Sequence, residues 1–174
     1  MNETSEPAPE ITEREAQSYI GIRRQVTDGV PALMDAIFPE LFGWIGRNGI
    51  EVTGPAFVRC WEADAEGEPL VMEAGAPVDS PPELEGEIRA DVLPAGRYLA
   101  VVHAGPYRSE ELTDLADTRA RLLAWAEREG HPISRPSERG LSLPCSVDHL
   151  IRGPAESSDF TTWRTELAYL IDSD

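Results

Sequence analysis

The chain has 174 residues, of which 41% are hydrophobic, so it is long and apolar enough for one folded domain and is not a disordered protein. Its 15 Lys and Arg residues against 32 Asp and Glu residues give a net charge of −17. A charge of this sign repels phosphate backbones, so direct binding of nucleic acid is not expected. The same charge attracts cations, including lipophilic ones, although it also suits an ordinary soluble protein.

Residues suited to metal or cofactor chemistry are sparse. Two cysteines, Cys60 and Cys145, are too few for a disulfide framework, and the three histidines are too widely spaced for a zinc signature. Neither thiol has a histidine at a spacing that indicates a catalytic Cys–His pair, which argues against a catalytic cysteine. The chain contains no P-loop, no dinucleotide-binding fingerprint and no G-x-S-x-G motif, so no cofactor is predicted.

The amino-terminal stretch MNETSEPAPEITERE lacks the basic and apolar segments of a signal peptide. Residues 1–12 are acidic and contain proline, which predicts a flexible tail. Residues 13–174 are then predicted to form a single domain. Because no apolar run is long enough to cross a bilayer, we expect a cytoplasmic protein with reduced thiols and no membrane partner.

The first half of the chain predicts a strand, a helix and a hairpin. QSYIGIRRQV (17–26) has the residues of a strand, and the hairpin consists of 55–63 and 69–76, joined by the turn AEGE. Apolar residues at helical spacing predict a helix over 31–48. Pro39 lies inside that pattern and predicts a kink or a late start.

The second half predicts the same kinds of element in the same order. After the lead-in EIRADVLPAG, a strand is centred on residues 98–102. The clearest helix of the chain is predicted over 109–130, with Ser109 as its N-cap. Two strands are predicted to follow, at about 140–151 and 163–171.

An internal repeat relates these two halves. LFGWIGRNGIEVTGP (41–55) aligned with LLAWAEREGHPISRP (122–136) has five identical pairs, each 81 positions apart. The pairs are Leu41/Leu122, Trp44/Trp125, Arg47/Arg128, Gly49/Gly130 and Pro55/Pro136. Upstream, Tyr19 and Tyr98 align at a distance of 79 positions. Since chance explains such agreement poorly, we predict a duplicated strand–helix–strand–strand unit.

The duplication predicts an α+β fold. The two pseudo-repeats, about 15–77 and 87–172, would place their strands in one curved antiparallel sheet with both main helices on one face. The other face would then be uncovered. Alternate residues of each strand would point into a central ligand cleft on that side.

A candidate site begins with an acid in the last predicted strand, TTWRTELAYLID. Alternation places the more apolar residues of this strand toward the helices and Glu166 toward the open face. In the strand before it, Asp148 and Leu150 share a face, so two acids could converge on one cleft. A carboxylate between aromatic walls attracts an organic cation, whereas a solvated acid on a half-exposed sheet is the simpler interpretation of Glu166.

The aromatic residues are candidates for the walls of such a cleft. Trp44 and Trp125 occupy equivalent helix positions, which favours packing between helix and sheet. Trp61 and Trp163 lie on or beside strands and could be either packing residues or walls. Tyr107 precedes the second helix and is either a turn-packing residue or part of the rim.

Residues 13–172 resemble the GyrI-like small-molecule-binding domain, which is also the effector domain of many AraC- and MerR-type regulators, and the resemblance is more specific in the second half of the chain. The similarity lies in LPAGRYLAVVHAGPY (93–107), in SVDHLIRGP and in the terminal WRTEL (163–167). The resemblance implies a duplicated fold with a cleft for bulky, often cationic, hydrophobic compounds. It places the usual cleft acid at Asp148, with Leu150 where a tyrosine is usual, and the terminal acid at Glu166.

Three functions follow as hypotheses. The first is a stand-alone protein that binds or sequesters amphipathic aromatic or cationic compounds, with ligand-binding residues Trp61, Tyr107, Asp148, Leu150, Trp163 and Glu166. The second is a hydrolase of cyclopropane-bearing, DNA-alkylating natural products, in which Glu166 would be the general base. The third, inhibition of a protein partner such as DNA gyrase, follows from the family name and the charge, and no surface patch is assigned to it.

Overall fold

A computed structural model of the chain describes residues 7–26, 33–63, 69–131, 133 and 141–171. These residues form eight strands and two main helices. The strands are β1 (Glu10–Arg14), β2 (Gln17–Gln25), β3 (Phe57–Ala63), β4 (Pro69–Pro77), β5 (Ile88–Leu93), β6 (Gly96–Ala104), β7 (Leu141–Arg152) and β8 (Arg164–Leu170). The helices are α1 (Phe38–Asn48) and α2 (Leu115–Arg128).

All eight strands belong to one curled antiparallel sheet, in the order β1-β6-β8-β7-β3-β4-β2-β5. The order is symmetric, because each strand of the unit β2-α1-β3-β4 has its counterpart in β6-α2-β7-β8 at the equivalent place. The predicted α+β duplication is therefore confirmed. The strand that precedes each unit pairs with the other unit, β1 with β6 and β5 with β2.

Both helices cover the same face of the sheet. Asp148 pairs with Val58 on one side and with Leu167 on the other, and directly paired residues of antiparallel strands share a face. Val58 packs in the cluster that contains the buried residues of α1, and Leu167 packs in the cluster that contains those of α2. We call this side the helix face and the opposite side the open face.

The open face has an apolar core of its own, because the sheet curls around it. Its buried cluster consists of strand residues: Tyr19, Phe57, Leu93, Tyr98, Ala100, Cys145, Val147 and Ala168. Tyr19 and Phe57 are fully buried although neither helix covers them. Burial of one such side chain contributes about 1.5–3 kcal/mol to stability, so closing this side of the sheet stabilises the domain.

The first helix starts late, as Pro39 predicted. A single π-helical turn, Leu33–Ile37, leads into α1, and Pro39 lies in the first turn of α1, where a missing backbone N–H breaks no hydrogen bond. The helix ends at Gly49, whose φ of 62° lies in the left-handed region and whose N–H bonds to the Ile45 carbonyl. Glycine is favoured there because it has no Cβ to strain this conformation.

The second helix begins later than its predicted start at Ser109. The N-cap is Asp114, whose side chain accepts from the Asp117 N–H while the Asp117 side chain accepts from the Asp114 N–H. This reciprocal capping box satisfies two backbone donors at once and outcompetes the earlier serine. The Ser109 hydroxyl instead accepts from two N–H groups of its own turn.

The amino-terminal segment is more ordered than expected at residues 10–12. These residues belong to β1, which pairs with β6 from Glu10 opposite Ala100 to Arg14 opposite Gly96. The alternating sequence EITER therefore supplies an edge strand in place of that part of the flexible tail. Residues 1–6, and the predicted turn at 65–68, lie outside the described residues, although β3 and β4, which flank that turn, are paired.

Candidate functional site

Glu166 lies on the open face, within a row of residues that crosses five strands. The Cα partners in this row are Gly75, Phe57, His149, Glu166 and Val102, on β4, β3, β7, β8 and β6. Because each pair is directly opposed, the side chains of the row point to the same side of the sheet. Glu166 therefore points away from the helices, as the alternation in its strand predicted.

The Glu166 carboxylate faces a guanidinium from the edge strand β1. Arg14 Nη1 donates to Glu166 Oε1 at 2.8 Å, and the Arg14 guanidinium carbon lies 5.3 Å from the centre of the Tyr98 ring. The side chains of Arg14 and Glu166 are 28% and 24% exposed. A carboxylate, a cation and an aromatic ring thus meet near the surface of the open face.

The repeat places a second glutamate, Glu73, at the position equivalent to Glu166. Tyr19 pairs with Pro77 and Tyr98 pairs with Leu170, and each glutamate lies four residues before the partner of its tyrosine. Each repeat therefore contributes one glutamate to the open face.

Glu73 is held far more tightly than Glu166. It is fully buried, and its Oε1 accepts from the Tyr19 hydroxyl at 2.5 Å and from the Trp61 Nε1–H at 2.9 Å. Its Oε2 lies 3.6 Å from Arg23 Nε, an ion-pair distance without a hydrogen bond. Burial, followed by the charge of Glu73, raises the pKa of Tyr19 well above its usual value, so the hydroxyl remains a donor.

Trp61 also lies on the open face, where its ring contacts two arginines. The guanidinium carbons of Arg23 and Arg59 lie 3.4 Å and 3.9 Å from the ring centre. Contacts of this kind between guanidinium and indole are attractive because the ring face carries negative charge density. Trp61 therefore stacks on the chain's own cations in this structure.

The middle of the open face is filled by rings. Phe57 packs edge-on against Tyr19 with 4.9 Å between ring centres, and it lies 5.7 Å from His149. Gly75 makes room for it, since a Cβ on Gly75 would lie 2.4 Å from the Phe57 ring. The centre of the predicted cleft is thus a packed floor.

A cavity remains beside this floor, at the Glu166 end. It has a volume of about 130 Å³ and is lined by residues that include Glu10, Thr12, Arg14, Ala100, Val102 and Glu166. Sites for drug-sized ligands usually measure about 300–1,000 Å³. A bulky ligand would therefore need one of the lining side chains to move.

His149 is the titratable neighbour of Glu166 on the adjacent strand. Burial lowers the pKa of His149 and the charge of Arg14 lowers it further, whereas Glu166 and Asp148 act in the opposite direction. With its pKa below the ordinary value, His149 is neutral at pH 7. Arg14 is then the positive group in contact with Glu166.

The two predicted acids do not converge. Asp148 pairs with Leu167 and His149 pairs with Glu166, so Asp148 and Glu166 point to opposite faces. Leu150, on the same face as Asp148, packs against the apolar cluster of α1. The expectation was wrong because alternation fixes the face of a residue only within its own strand, and the pairing register relates one strand to the next.

Tyr107 and Trp163 form a pair on the helix face. Their ring centres lie 4.8 Å apart, and Tyr107 packs against the cluster that contains the residues of α2. Burial, followed by the charge of Glu156, raises the pKa of Tyr107 to about 12. Of the predicted aromatic walls, Trp61 alone therefore shares a face with Glu166.

Within the described part of the chain, no group of three or more His, Cys, Asp or Glu side chains is placed to hold a metal ion. The helices of that part of the chain are each too short or too polar to cross a membrane.

Sequence reasoning missed several charged residues of the open face, among them Arg14, Arg23, Arg59 and Glu73. For Glu73 a signal existed, because it is the acid of the strand that corresponds to β8 in the first repeat. Arg14 and Glu166 are 152 positions apart, and no local pattern connects them.

The sequence matches the profile of the GyrI-like small-molecule-binding domain over residues 7–144. The chain belongs to this family. No curated protein is significantly similar to it in sequence.

Solved structures share its fold. The C-terminal domain of EcmrR has a TM-score of 0.74 at 20% identity, covering 97% of this chain and 99% of that one. EcmrR in a DNA complex has a TM-score of 0.79 at 19% identity over 96% of this chain, which spans 58% of that longer chain. SAV2435 bound to tetraphenylphosphonium has a TM-score of 0.57 at 7% identity, covering 95% and 94% of the two chains. A hydrolase from Listeria innocua has a TM-score of 0.58 at 11% identity, covering 98% and 94%. These likenesses establish the fold.

Proposed function

We propose that the protein binds bulky, amphipathic, aromatic or cationic small molecules on its open face, for sensing or sequestration. Glu166 is the carboxylate that faces the ligand charge. The observation that carries the proposal is that Glu166 is partly exposed and lines a cavity on the helix-free side of a GyrI-like sheet.

The chemistry of this corner suits an organic cation. Glu166 supplies a partly desolvated negative charge, and the nearby Tyr98 ring supplies an aromatic face on which Arg14 already rests. Tetraphenylphosphonium, the ligand of the fold neighbour SAV2435, is a lipophilic aromatic cation of this class. It is therefore a suitable probe for this chain.

The Glu166→Gln variant is expected to bind tetraphenylphosphonium more weakly than the wild type by about 1 kcal/mol, the scale of a partly exposed ion pair, since this probe has no hydrogen-bond donor. Isothermal titration calorimetry measures this difference. The matched control is Glu87→Gln, which also removes one negative charge from an arginine-paired glutamate, but at a 60% exposed position beside Arg24. Binding that is indifferent to Glu166→Gln, or equally weakened by Glu87→Gln, would refute the role of Glu166.

A second candidate function is hydrolysis of cyclopropane-bearing alkylating compounds, with Glu166 as the general base that activates water. It is supported by the access of Glu166 to a cavity and by the shared fold of the Listeria innocua hydrolase. Tyr107 and Trp163 would take no part at this carboxylate, since they lie on the helix face. Incubation with such a compound should yield its ring-opened water adduct by mass spectrometry, and this product should be lost in Glu166→Gln. Recovery of the intact compound at enzyme excess would remove this candidate.

A further inference from the structure

The cation that faces Glu166 in this structure belongs to the chain itself. Arg14 Nη1 donates to the carboxylate at 2.8 Å, Arg14 Nε donates to Thr12 Oγ1 at 3.2 Å, and the guanidinium carbon lies 5.3 Å from the centre of the Tyr98 ring. A carboxylate and an aromatic face are the two partners that attract an organic cation. Arg14 therefore occupies the place that the proposed function gives to the positive charge of a ligand.

The ion pair between Arg14 and Glu166 is exposed enough for a ligand to replace Arg14. Arg14 is the last residue of β1, an edge strand, and both side chains of the pair are roughly one quarter exposed, at 28% and 24%. Ion pairs with this exposure are weak, because water and salt screen them. Glu73, the equivalent acid of the other repeat, is fully buried beneath Tyr19 and Trp61. Of the two glutamates, Glu166 is the one whose partner a ligand can replace.

The size of the cavity is a second reason to expect that a ligand displaces Arg14. Arg14 is part of its lining, and the volume of about 130 Å³ is smaller than a bulky ligand needs. Rotation of the Arg14 side chain toward solvent would enlarge this space. It would also leave Glu166 without its counter-ion, on a cavity wall that carries a second carboxylate, Glu10.

We propose that Arg14 is a built-in competitor for the ligand's positive charge. A lipophilic cation binds Glu166 by displacing the Arg14 guanidinium, so Arg14 lowers the affinity for every monocation and selects ligands with enough aromatic area to compensate. This inference rests on the proposed function and adds the residue that sets its selectivity.

Tetraphenylphosphonium titrations test it. Arg14→Gln should bind the probe about 1.5- to 5-fold more tightly than the wild type, the range expected for removal of one partly exposed ion pair. Arg14→Lys, which keeps the charge, should stay close to the wild type. In a Glu166→Gln background, Arg14→Gln should tighten binding less than it does in the wild type, because the carboxylate for which Arg14 and the ligand compete is gone.

The matched control is Arg24→Gln. Arg24 is also an ion-paired strand arginine, bonded to Glu40 and Glu87, but it pairs with Met72 and so lies on the helix face. Its substitution changes the net charge equally and should leave the affinity unchanged. If Arg24→Gln tightens binding as much as Arg14→Gln, the effect is one of overall charge and the inference is wrong.

The remaining outcomes are also decisive. If the wild type binds the probe and Arg14→Gln binds it equally or more weakly, the inference fails and the proposed function stands. If neither binds, both fail. Should Arg14→Gln not fold, the Arg14 Nε–H resonance of the wild type decides: a shift on saturation with the probe supports displacement, and an unchanged resonance overturns it.

Discussion

Arg119 binds Asp148 at the junction between α2 and the sheet. Its guanidinium donates to Asp148 Oδ2 at 2.5 Å and to the Tyr169 hydroxyl at 2.6 Å. Asp148 is 8% exposed, and a carboxylate so placed needs a partner because burial removes its hydration. Arg119 lies at helical spacing from the buried Leu115, Leu122 and Ala126 of α2, and its ion pair joins this helix to β7 and β8.

Asp148→Ala should lower the free energy of unfolding by about 2 kcal/mol, since Arg119 then loses its charged acceptor but keeps partial access to water. Urea denaturation measures this loss. In a double-mutant cycle, the combination of Asp148→Ala with Arg119→Met should cost less than the two single losses together, because neither charge is left alone. A loss for Asp148→Ala below about 0.5 kcal/mol, typical of a surface position, would contradict the structural role of the pair.

Two residues near the start of α2, Ser109 and Asp114, could each serve as its N-cap. Ser109 and Asp114 are both good N-cap residues, but Asp114 has a partner three residues later that completes a reciprocal box. The segment between them bends and is not helical, and it leaves Leu112 49% exposed. Tyr107, just before this segment, packs on the helix face.

Asp114→Ala should destabilise the protein by about 1 kcal/mol, as loss of an N-cap usually does, whereas Ser109→Ala should change stability by less than about 0.5 kcal/mol. The hydrogen bond from the Asp117 N–H lowers the pKa of Asp114 below its usual range. Because the folded-state pKa is the lower one, the stabilisation is complete above the unfolded value of about 3.9 and is lost as the pH falls through the folded value. Thermal unfolding at pH 7 and pH 3 checks both points, since the difference between wild type and Asp114→Ala should shrink at the lower pH. A larger loss of stability for Ser109→Ala than for Asp114→Ala would indicate that Ser109 is the N-cap.

The molecule as a whole consists of two equivalent units that exchange their edge strands, β1 and β5. The strand before each unit pairs with the other unit, so neither half completes its part of the sheet alone. The exchange has a functional consequence, because β1 carries Arg14 from the first unit to the carboxylate of the second. The equivalent acid, Glu73, is closed in by rings, so a symmetric fold presents an asymmetric open face.

The sequence by itself determined what depends on local periodicity and on internal or family similarity. It predicted the strand–helix–strand–strand order of each unit, the duplication, the common face of the two helices and the GyrI-like family, but not the strands β1 and β5 that precede the units. It also predicted that Glu166 faces away from the helices, since alternation within one strand decides this.

The tertiary structure alone decided which charges meet. Asp148 lies on the face opposite Glu166, because His149, and not Asp148, pairs with Glu166. Arg14 reached Glu166 across 152 positions through the pairing of β1 with β6. Side chains alternate with a period of two, so a shift of one residue in register moves a group to the opposite face. That register is set by long-range packing of the whole sheet, which no single stretch of sequence contains.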